Sequence, residues 1–198
     1  MQYYRLNIGG LERDLPICQL DENLAIAGFD SVGDTELINR AADILSNNNK
    51  VKDFLFDCII TTEVKGIPIA QALATRFNVP YFCLRKSPKI YMGDCVTIKG
   101  SSITSGNSTY YLSKSQLEKL KKLDALFVDD VYSTGTTMDM ICEFCDANNI
   151  MLMGAAFILR ETLLEDEYES FKHLATNGSV VNCVAIEALP LFGDGDDD

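Results

Sequence analysis

The sequence is poor in basic residues. It has 17 Lys and Arg against 29 Asp and Glu, so its 198 residues carry a formal net charge of −12. An acidic chain of this kind has no generic electrostatic attraction for nucleic acid or for an anionic membrane surface. Apolar runs also stay well short of the roughly 18 residues that a membrane-spanning helix needs. We therefore expect neither nucleic acid nor a membrane as a partner, and an anionic ligand must be held by a local site.

The chain also lacks internal repeats, long low-complexity segments and linkers rich in proline or serine. Its length suits one domain with a sizeable core. We predict a single domain over residues 1–193, in which 1–34 form part of a hood and the polar insertion 90–108 forms a flexible lid. The Gly/Asp-rich residues 194–198 are expected to be a disordered acidic tail.

Histidine occurs once, as His173, and this scarcity weakens any case for a zinc site. Cys142 and Cys145 have zinc or redox spacing, but no second Cys/His pair accompanies them, so we predict that both are inward residues of a helix. His173 is expected on the surface. With no recognisable secretory signal, the odd set of cysteines favours a reducing, cytoplasmic location. They are Cys18, Cys58, Cys83, Cys95, Cys142, Cys145 and Cys183.

The apolar pattern alternates between helix and strand along the chain. Residues 35–45 have apolar side chains at helical spacing, with Asp34 or Thr35 as a cap, and 54–60 is a short run typical of a strand covered on both faces. Further helices are predicted over 67–77 and 136–147, and further strands over 79–84, 125–128 and 151–159. This order predicts an α/β fold with a central, mostly parallel sheet and helices on both faces, in which ligands bind where the strands end.

One strand, loop and helix carry the residues of a phosphate site. The segment 125–138 contains an apolar strand, the acids Asp129 and Asp130, a loop of small hydroxyl-bearing residues and the start of a helix. Free backbone N–H groups at a helix start bind phosphate, and glycine permits a close approach. The acids suit sugar hydroxyls or a nearby metal ion. The implied ligand is a sugar phosphate, and the predicted phosphate contacts are Ser133, Thr134, Gly135, Thr136 and Thr137.

This segment resembles the phosphoribosyl pyrophosphate (PRPP) signature of type I phosphoribosyltransferases. The resemblance covers about residues 29–187 and is strongest to the adenine and xanthine enzymes. It implies that the catalytic pair Asp129 and Asp130 holds the ribose 2- and 3-hydroxyls while the loop holds the 5-phosphate. The lysine and spacing of a Walker A loop are missing. An acid pair and helix cap of purely structural value is one alternative; a receiver domain fits poorly, since only 68 residues follow Asp130.

Two further loops resemble pyrophosphate-binding parts of the same family. Residues 61–67 match the acid, basic and glycine positions of adenine phosphoribosyltransferases, and residues 84–89 gather three cations before the lid. Cations at strand ends can form a local anion site on an acidic chain. A solvated lysine and a solvated turn are the alternatives. The predicted pyrophosphate contacts are Glu63, Lys65, Gly66, Arg85, Lys86 and Lys89.

Contacts to a purine base are predicted at Phe29 and Glu161. Phe29 lies where purine-using relatives place a stacking aromatic, although a buried core phenylalanine is an equal alternative. Glu161 stands where xanthine-using relatives have a lysine, and the asparagine that follows the phenylalanine in those relatives is missing here. A carboxylate accepts a hydrogen bond from an amino group better than it serves a 2-oxo acceptor. Adenine is therefore favoured over xanthine.

The resemblance implies a PRPP-dependent pentosyltransferase of purine salvage. It would transfer ribose 5-phosphate to a purine, either adenine or else xanthine, hypoxanthine or guanine, and release pyrophosphate. Mg²⁺ is expected to bind through the substrate rather than in a protein cage, and a homodimer is expected from the family. The alternatives are a PRPP-binding regulator without catalysis, an orotate-type enzyme and a PRPP synthetase-like protein. A regulator of this family usually adds a DNA-binding domain, for which 34 residues before the first helix are too few.

Overall fold

A sheet with a parallel centre forms as the alternating pattern predicts. The structure is a computed structural model that describes residues 2–99, 109–162 and 169–193. Its strands are β1 (Tyr3–Ile8), β2 (Leu11–Asp21), β3 (Leu24–Ala27), β4 (Cys58–Thr62), β5 (Tyr81–Leu84), β6 (Cys95–Lys99), β7 (Thr109–Ser113), β8 (Ala125–Tyr132), β9 (Leu152–Thr162), β10 (Ser170–Leu174) and β11 (Val180–Gly193). The main sheet has the order β1-β2-β3-β11-β9-β8-β4-β5, and β10 pairs with β11.

The five neighbouring strands β11, β9, β8, β4 and β5 run parallel to one another, so their carboxyl ends meet at one edge. The strands β1, β2 and β3 form an antiparallel flank that joins the last three residues of β11. This flank occupies most of the predicted hood 1–34. Separately, β6 and β7 pair as a two-stranded sheet.

Helices cover both faces of the sheet, as predicted. They are α1 (Thr35–Asn47), α2 (Asn49–Lys52), α3 (Gly66–Phe77), α4 (Lys114–Leu120) and α5 (Thr136–Ala147). One buried cluster packs α1 and α3 on one face, and a second cluster packs α4 and α5 on the other. Asp34 caps α1 by accepting a hydrogen bond from the Leu37 N–H at 3.0 Å. Within the described ranges, every helix is too short or too polar to cross a membrane.

The predicted strand over 54–60 is wrong in its first half, because the chain turns there before β4 begins at Cys58. Leu55 has φ of 48°, which lies outside the β region that strand residues occupy, and its side chain is exposed, at 76%. Phe54 instead lies against Gly154 of β9, where an added Cβ would be 2.8 Å from its ring. The apolar character of this run therefore reflects packing onto the sheet rather than pairing within it.

Only part of the predicted lid 90–108 can be compared with the structure. Residues Ile90–Met92 form a 3₁₀ turn and β6 follows, whereas 100–108 lie outside the described residues. The predicted tail 194–198 lies outside them as well.

Candidate functional site

The loop between β8 and α5 forms a small pocket at the carboxyl edge of the sheet. The first six residues of β8 are buried, and Gly135, with φ of +84°, turns the chain into α5. The helix starts with an Asp139 N–H bond to the Gly135 carbonyl at 2.9 Å. The pocket is about 70 Å³. Five consecutive residues that line it offer it backbone N–H groups, and all but the glycine also carry a hydroxyl. The five residues are Ser133, Thr134, Gly135, Thr136 and Thr137. The size of the pocket and these donors suit one phosphate group.

The acid pair stands beside this pocket and is buried. Asp129 is 9% exposed and Asp130 is 5% exposed. The Thr62 hydroxyl donates to Asp129 Oδ2 and the Asp130 N–H donates to Asp129 Oδ1, each at 3.0 Å. Burial, and secondarily the adjacent Asp130 charge, raises the pKa of Asp129 well above the usual range of a carboxyl. A cation or a sugar hydroxyl placed here would relieve that unfavourable charge.

Lys65 reaches across the cavity and pairs with one of these acids. Its Nζ lies 2.9 Å from Asp130 Oδ2, and it donates to the Phe29 carbonyl at 3.1 Å. The contact to Asp130 is an ion pair, so the ammonium of Lys65 compensates part of the charge of that buried carboxylate. The one predicted cation that faces the acids is thus held by the protein itself.

Gly66 explains how the pyrophosphate loop comes so close to the acid pair. A Cβ at this position would lie 2.3 Å from Thr61 Oγ1 and 2.5 Å from Asp129 Oδ1. Real Cβ atoms do not approach oxygen atoms so closely. Only glycine therefore lets α3 begin against the Asp129 carboxyl, and the role of Gly66 in this structure is that close packing.

Glu63 connects the two predicted pyrophosphate loops. It accepts a 2.8 Å hydrogen bond from the Lys86 N–H and lies 3.5 Å from the Arg85 guanidinium. The remaining cations point elsewhere: Arg85 lines a separate cavity of about 520 Å³, and Lys89 donates to Ser87 at 2.9 Å on an exposed turn.

A cavity of about 430 Å³ brings most of the predicted residues together. Those that line it are Phe29, Glu63, Lys65, Lys86, Asp129, Asp130, Ser133, Thr137 and Glu161. Thr134, Gly135 and Thr136 line the adjoining phosphate pocket. Gly66 lies behind Asp129, while Arg85 and Lys89 are not part of the cavity wall.

Near the carboxyl ends of β9 and β11, the cavity has an apolar wall and one acidic side chain, Glu161. Ala27 and Leu189 contribute to the wall, and Glu161 accepts a hydrogen bond from the Ser133 hydroxyl. Phe29 is 7% exposed and packs into the core beneath α1 and α3, so most of its ring is covered by protein. A flat heterocycle with an amino group would fit this combination of apolar surface and hydrogen-bond acceptor.

Several cavity residues escape the sequence argument, among them Thr62, Tyr110 and Leu189. Thr62 ends β4 and holds Asp129, and the rule that ligands bind at strand ends could have found it. Tyr110 and Leu189 also line the cavity. They arrive from β7 and from the end of β11, two strands that the alternating pattern does not predict, so no local signal marks them.

His173 is not on the surface, and that expectation is wrong. Its side chain is buried, 5% exposed for the whole residue, and lies between Tyr132 and Asp139 beneath the phosphate loop. Lys172 and Leu174 on either side are exposed, so β10 alternates and turns His173 inward. That alternation was the available signal.

Cys142 and Cys145 pack inside the second core cluster, as predicted for inward residues of α5. Burial raises the pKa of both thiols, to about 11 for Cys142 and about 12 for Cys145. A thiol of that kind is a poor metal ligand or nucleophile at neutral pH. The described part of the chain holds no cluster of three His, Cys, Asp or Glu side chains that could bind a metal ion.

Known proteins resemble this chain in sequence and in fold. It is 30% identical to a hypoxanthine/guanine phosphoribosyltransferase of Methanosarcina acetivorans over 171 residues, which cover 81% of this chain and 82% of that one. It is also 30% identical to the purine biosynthesis transcriptional repressor PurR of Bacillus subtilis over 126 residues, 61% of this chain and 43% of that one. Among the first curated relatives the match thus spans only about half of their length.

The crystal structure of an adenine phosphoribosyltransferase from Thermoanaerobacter pseudethanolicus superimposes with a TM-score of 0.61. The two chains are 17% identical, and the match covers 79% of this chain and 83% of that one. Such a likeness establishes the shared fold. Residues 30–185 match the phosphoribosyl transferase domain family, and this match takes in the acid pair, the phosphate loop and both cationic loops. The chain therefore belongs to the phosphoribosyl transferase domain family.

Proposed function

We propose that the protein is a PRPP-dependent purine phosphoribosyltransferase that acts in purine salvage. The observation that carries this proposal is the continuous cavity in which a phosphate loop, a buried acid pair and two lysines meet an apolar pocket with one acid. Each part matches one portion of the two substrates in size and charge. The relatives named hypoxanthine/guanine and xanthine phosphoribosyltransferase support the same reaction.

The phosphate loop would hold the 5-phosphate of PRPP. The five residues 133–137 line a pocket of about 70 Å³, where their N–H groups would bind the phosphate, while the Ser133 hydroxyl bonds to Glu161 and the hydroxyls of Thr134 and Thr136 bond to each other. Asp129 and Asp130 would then accept hydrogen bonds from the ribose 2- and 3-hydroxyls. Since Asp130 Oδ2 is buried without a hydrogen bond among the described residues, a ribose hydroxyl would satisfy it.

The pyrophosphate would lie on the Lys65 side of the cavity. Lys65 and Lys86 line this wall, and the predicted role of Glu63 and Gly66 is to shape the loop that presents them. Lys65 already pairs with Asp130 and donates to the Phe29 carbonyl, and the third N–H of its ammonium would meet the pyrophosphate. Arg85 and Lys89, which lie off the cavity wall, would reach the pyrophosphate only after the residues around them rearrange.

Mg²⁺ fits the donors on this side of the cavity. The buried carboxylates of Asp129 and Asp130 are hard oxygen ligands of the kind that Mg²⁺ takes together with substrate oxygens. When bound, the ion would neutralise pyrophosphate charge. Asp129 and Asp130 are the residues that would hold it, through the ribose hydroxyls or directly.

The transfer step breaks the bond from ribose C1 to pyrophosphate oxygen and forms one from C1 to a purine nitrogen. Pyrophosphate leaves with the bonding electrons, the purine nitrogen supplies the new pair and its proton passes to solvent. Positive charge develops on the ribose ring, and the carboxylates of Asp129 and Asp130 below it would stabilise that charge. Exclusion of water by the lid 90–108 would protect PRPP from hydrolysis.

Adenine is the base that we propose. Glu161, at the apolar end of the cavity, accepts hydrogen bonds and would take one from the 6-amino group, while Phe29 would contact the ring by its exposed edge. Xanthine, hypoxanthine and guanine are the other candidates, because the curated relatives include enzymes named for them.

A PRPP-binding regulator without catalysis is the second candidate. The similarity to the repressor PurR favours it, and a regulator would use the same phosphate loop. In the structure residues 3–27 form the antiparallel strands β1 to β3, which is not the fold of a DNA-binding helical domain. We also propose a homodimer and a cytoplasmic location. The cysteines are free thiols, which supports a reducing compartment.

Pyrophosphate release by the purified protein with Mg²⁺ and PRPP tests the proposal. Adenine, xanthine, hypoxanthine, guanine and orotate are compared in parallel, and we expect turnover with adenine. The double variant Asp129→Asn/Asp130→Asn is the control and should release none. PRPP binding by calorimetry with no turnover on any base would favour the regulator, and absence of PRPP binding would refute both.

A further inference from the structure

The only histidine of the sequence lies beneath the phosphate loop. His173 belongs to β10, which pairs with β11. In the main sheet β11 lies next to β9, and β9 lies next to β8. The His173 side chain is buried between the residue that ends β8 and a residue in the first turn of α5. These two elements flank the loop 133–137, so the imidazole spans both ends of the loop.

One side of the imidazole contacts Tyr132, the last residue before the loop. His173 Nδ1 is 3.1 Å from the Tyr132 hydroxyl. The rings of Phe157 and Phe171 pack against the Tyr132 ring, with centroids at 5.4 Å and 4.7 Å, so the hydroxyl is held in one direction. Both groups also touch Gly135, where an added Cβ would be 2.9 Å from the Tyr132 hydroxyl and 3.1 Å from His173 Cε1.

The other side of the imidazole faces Asp139 on α5. His173 Nε2 is 3.3 Å from Asp139 Oδ1, and the same oxygen accepts a 2.9 Å bond from the Thr176 N–H. The Asp139 N–H donates to the Gly135 carbonyl, so Asp139 is fixed to the loop by its backbone. Nε2 has no hydrogen-bond partner among the described residues, so the Asp139 side of the ring is a close contact, and the Tyr132 hydroxyl is the hydrogen-bond partner of the ring.

We propose that His173 is a positioning residue of the phosphate loop, acting through Tyr132 and Asp139. It sets the distance between the end of β8 and the start of α5 and supports Gly135 from below, so the loop keeps its N–H groups directed into the phosphate pocket. The residue does not contact the ligand. This inference rests on the proposed function only in taking a sugar 5-phosphate as the occupant of the pocket.

Ribose 5-phosphate binding measured by calorimetry tests the role. Tyr132→Phe, which keeps the ring and loses the hydroxyl, should weaken binding about fivefold, the equivalent of one hydrogen bond of roughly 1 kcal/mol. His173→Ala, which also removes the imidazole from between the two elements, should weaken binding about tenfold or more. His173→Asn can still bond to Tyr132 and His173→Gln can still reach Asp139, so both should recover part of the loss. With turnover, the change should fall on KM for PRPP rather than on kcat.

A matched control separates positioning from general destabilisation. Cys58 is buried at the start of β4, at the end of that strand opposite the ligand edge, and it lines neither ligand cavity. Cys58→Ala should lower the melting temperature through a small cavity, as His173→Ala does, while ribose 5-phosphate binding stays within twofold of the unchanged protein. If Cys58→Ala weakens binding as much as His173→Ala, the effect is general destabilisation and the proposal fails.

A single histidine also permits a test without any substitution of it. Protein labelled with ¹⁵N-histidine, prepared without a histidine tag, gives one pair of imidazole signals. We expect a shift of the Nδ1 signal, from the nitrogen that contacts the Tyr132 hydroxyl, on saturation with ribose 5-phosphate. Unchanged signals together with unaltered binding by His173→Ala would overturn the inference and leave the proposed function standing. If the unsubstituted protein binds neither ribose 5-phosphate nor PRPP, the proposed function itself fails.

Discussion

The two ends of the cavity differ in the kind of group that they offer to an anion. At the phosphate end, the loop 133–137 offers backbone N–H groups and hydroxyls, is supported from beneath by Tyr132 and His173, and contains no lysine or arginine. At the pyrophosphate end, the donors are charged side chains that already form ion pairs within the protein. Lys65 pairs with Asp130, and Arg85 pairs with Glu63.

This difference separates a preformed site from one whose cations are already paired. Backbone donors at a helix start need no rearrangement to bind phosphate. Lys65 is instead already paired with an internal carboxylate, so a pyrophosphate would have to share this cation with Asp130, which weakens the contribution of Lys65 to binding. We therefore expect substitutions at the phosphate end to abolish binding of any sugar phosphate, and those at the pyrophosphate end to affect only PRPP.

The largest effect is expected from Gly135→Ala. The new Cβ would be 2.9 Å from the Tyr132 hydroxyl, and φ of +84° is unfavourable for alanine. Ribose 5-phosphate affinity should fall more than about a hundredfold because the loop must move. Gly10→Ala is the control, with φ of +87° and open space around it, so it should cost about 1–2 kcal/mol of stability and leave affinity unchanged. Equal loss of affinity in both variants would show that the loop is not preformed.

A smaller and selective effect is expected from Lys65→Met. PRPP should bind about ten- to a hundredfold more weakly, in the range of a lost hydrogen bond to a charged group. Ribose 5-phosphate, which lacks pyrophosphate, should bind as before. Lys50→Met removes the same charge from the exposed helix α2 and should change neither affinity. Calorimetry with both ligands decides, and a parallel loss for ribose 5-phosphate would mean that the two ends are not independent.

The smallest effect is a pH dependence that Asp129 introduces. Its pKa is raised in the folded protein, so the folded state holds this proton more tightly than the unfolded chain. Its contribution to stability is therefore complete below about pH 4 and is lost as the pH rises through the raised pKa. The free energy of unfolding of Asp129→Asn minus that of the unchanged protein should increase with pH, by at most about 1.4 kcal/mol per unit. Urea unfolding at several pH values measures it, and a flat difference would contradict the raised pKa.

The sequence predicts the parts of the fold that are determined locally. The helix over 136–147 coincides with α5, because its apolar spacing and the preceding glycine are both adjacent in the chain. The phosphate loop and acid pair form a single strand, turn and helix, so their proximity follows from their order. Lys65 and Glu63 are placed correctly near them because parallel strands end at the same edge.

The remaining parts depend on partners far away in the chain. The alternating pattern does not predict β11, because this strand is defined by distant partners: β10 along 180–184, β9 along 183–190 and β3 along 191–193. Leu189 and His173 enter the site through that pairing. Arg85 and Lys89 have the right charge and neighbourhood, but their side chains turn away from the cavity, a choice that local sequence does not encode.

The pairing of β11 with β3 is the hydrogen-bonded seam between the parallel centre and the antiparallel flank of the main sheet as described. Ala27 of the flank and Leu189 of β11 line the cavity close to this seam. A molecule bound there would contact both the flank and the parallel centre and would restrict their motion relative to each other. Amide hydrogen exchange in β1 to β3 should then slow when the cavity fills, even though the backbone of β1 and β2 touches no ligand.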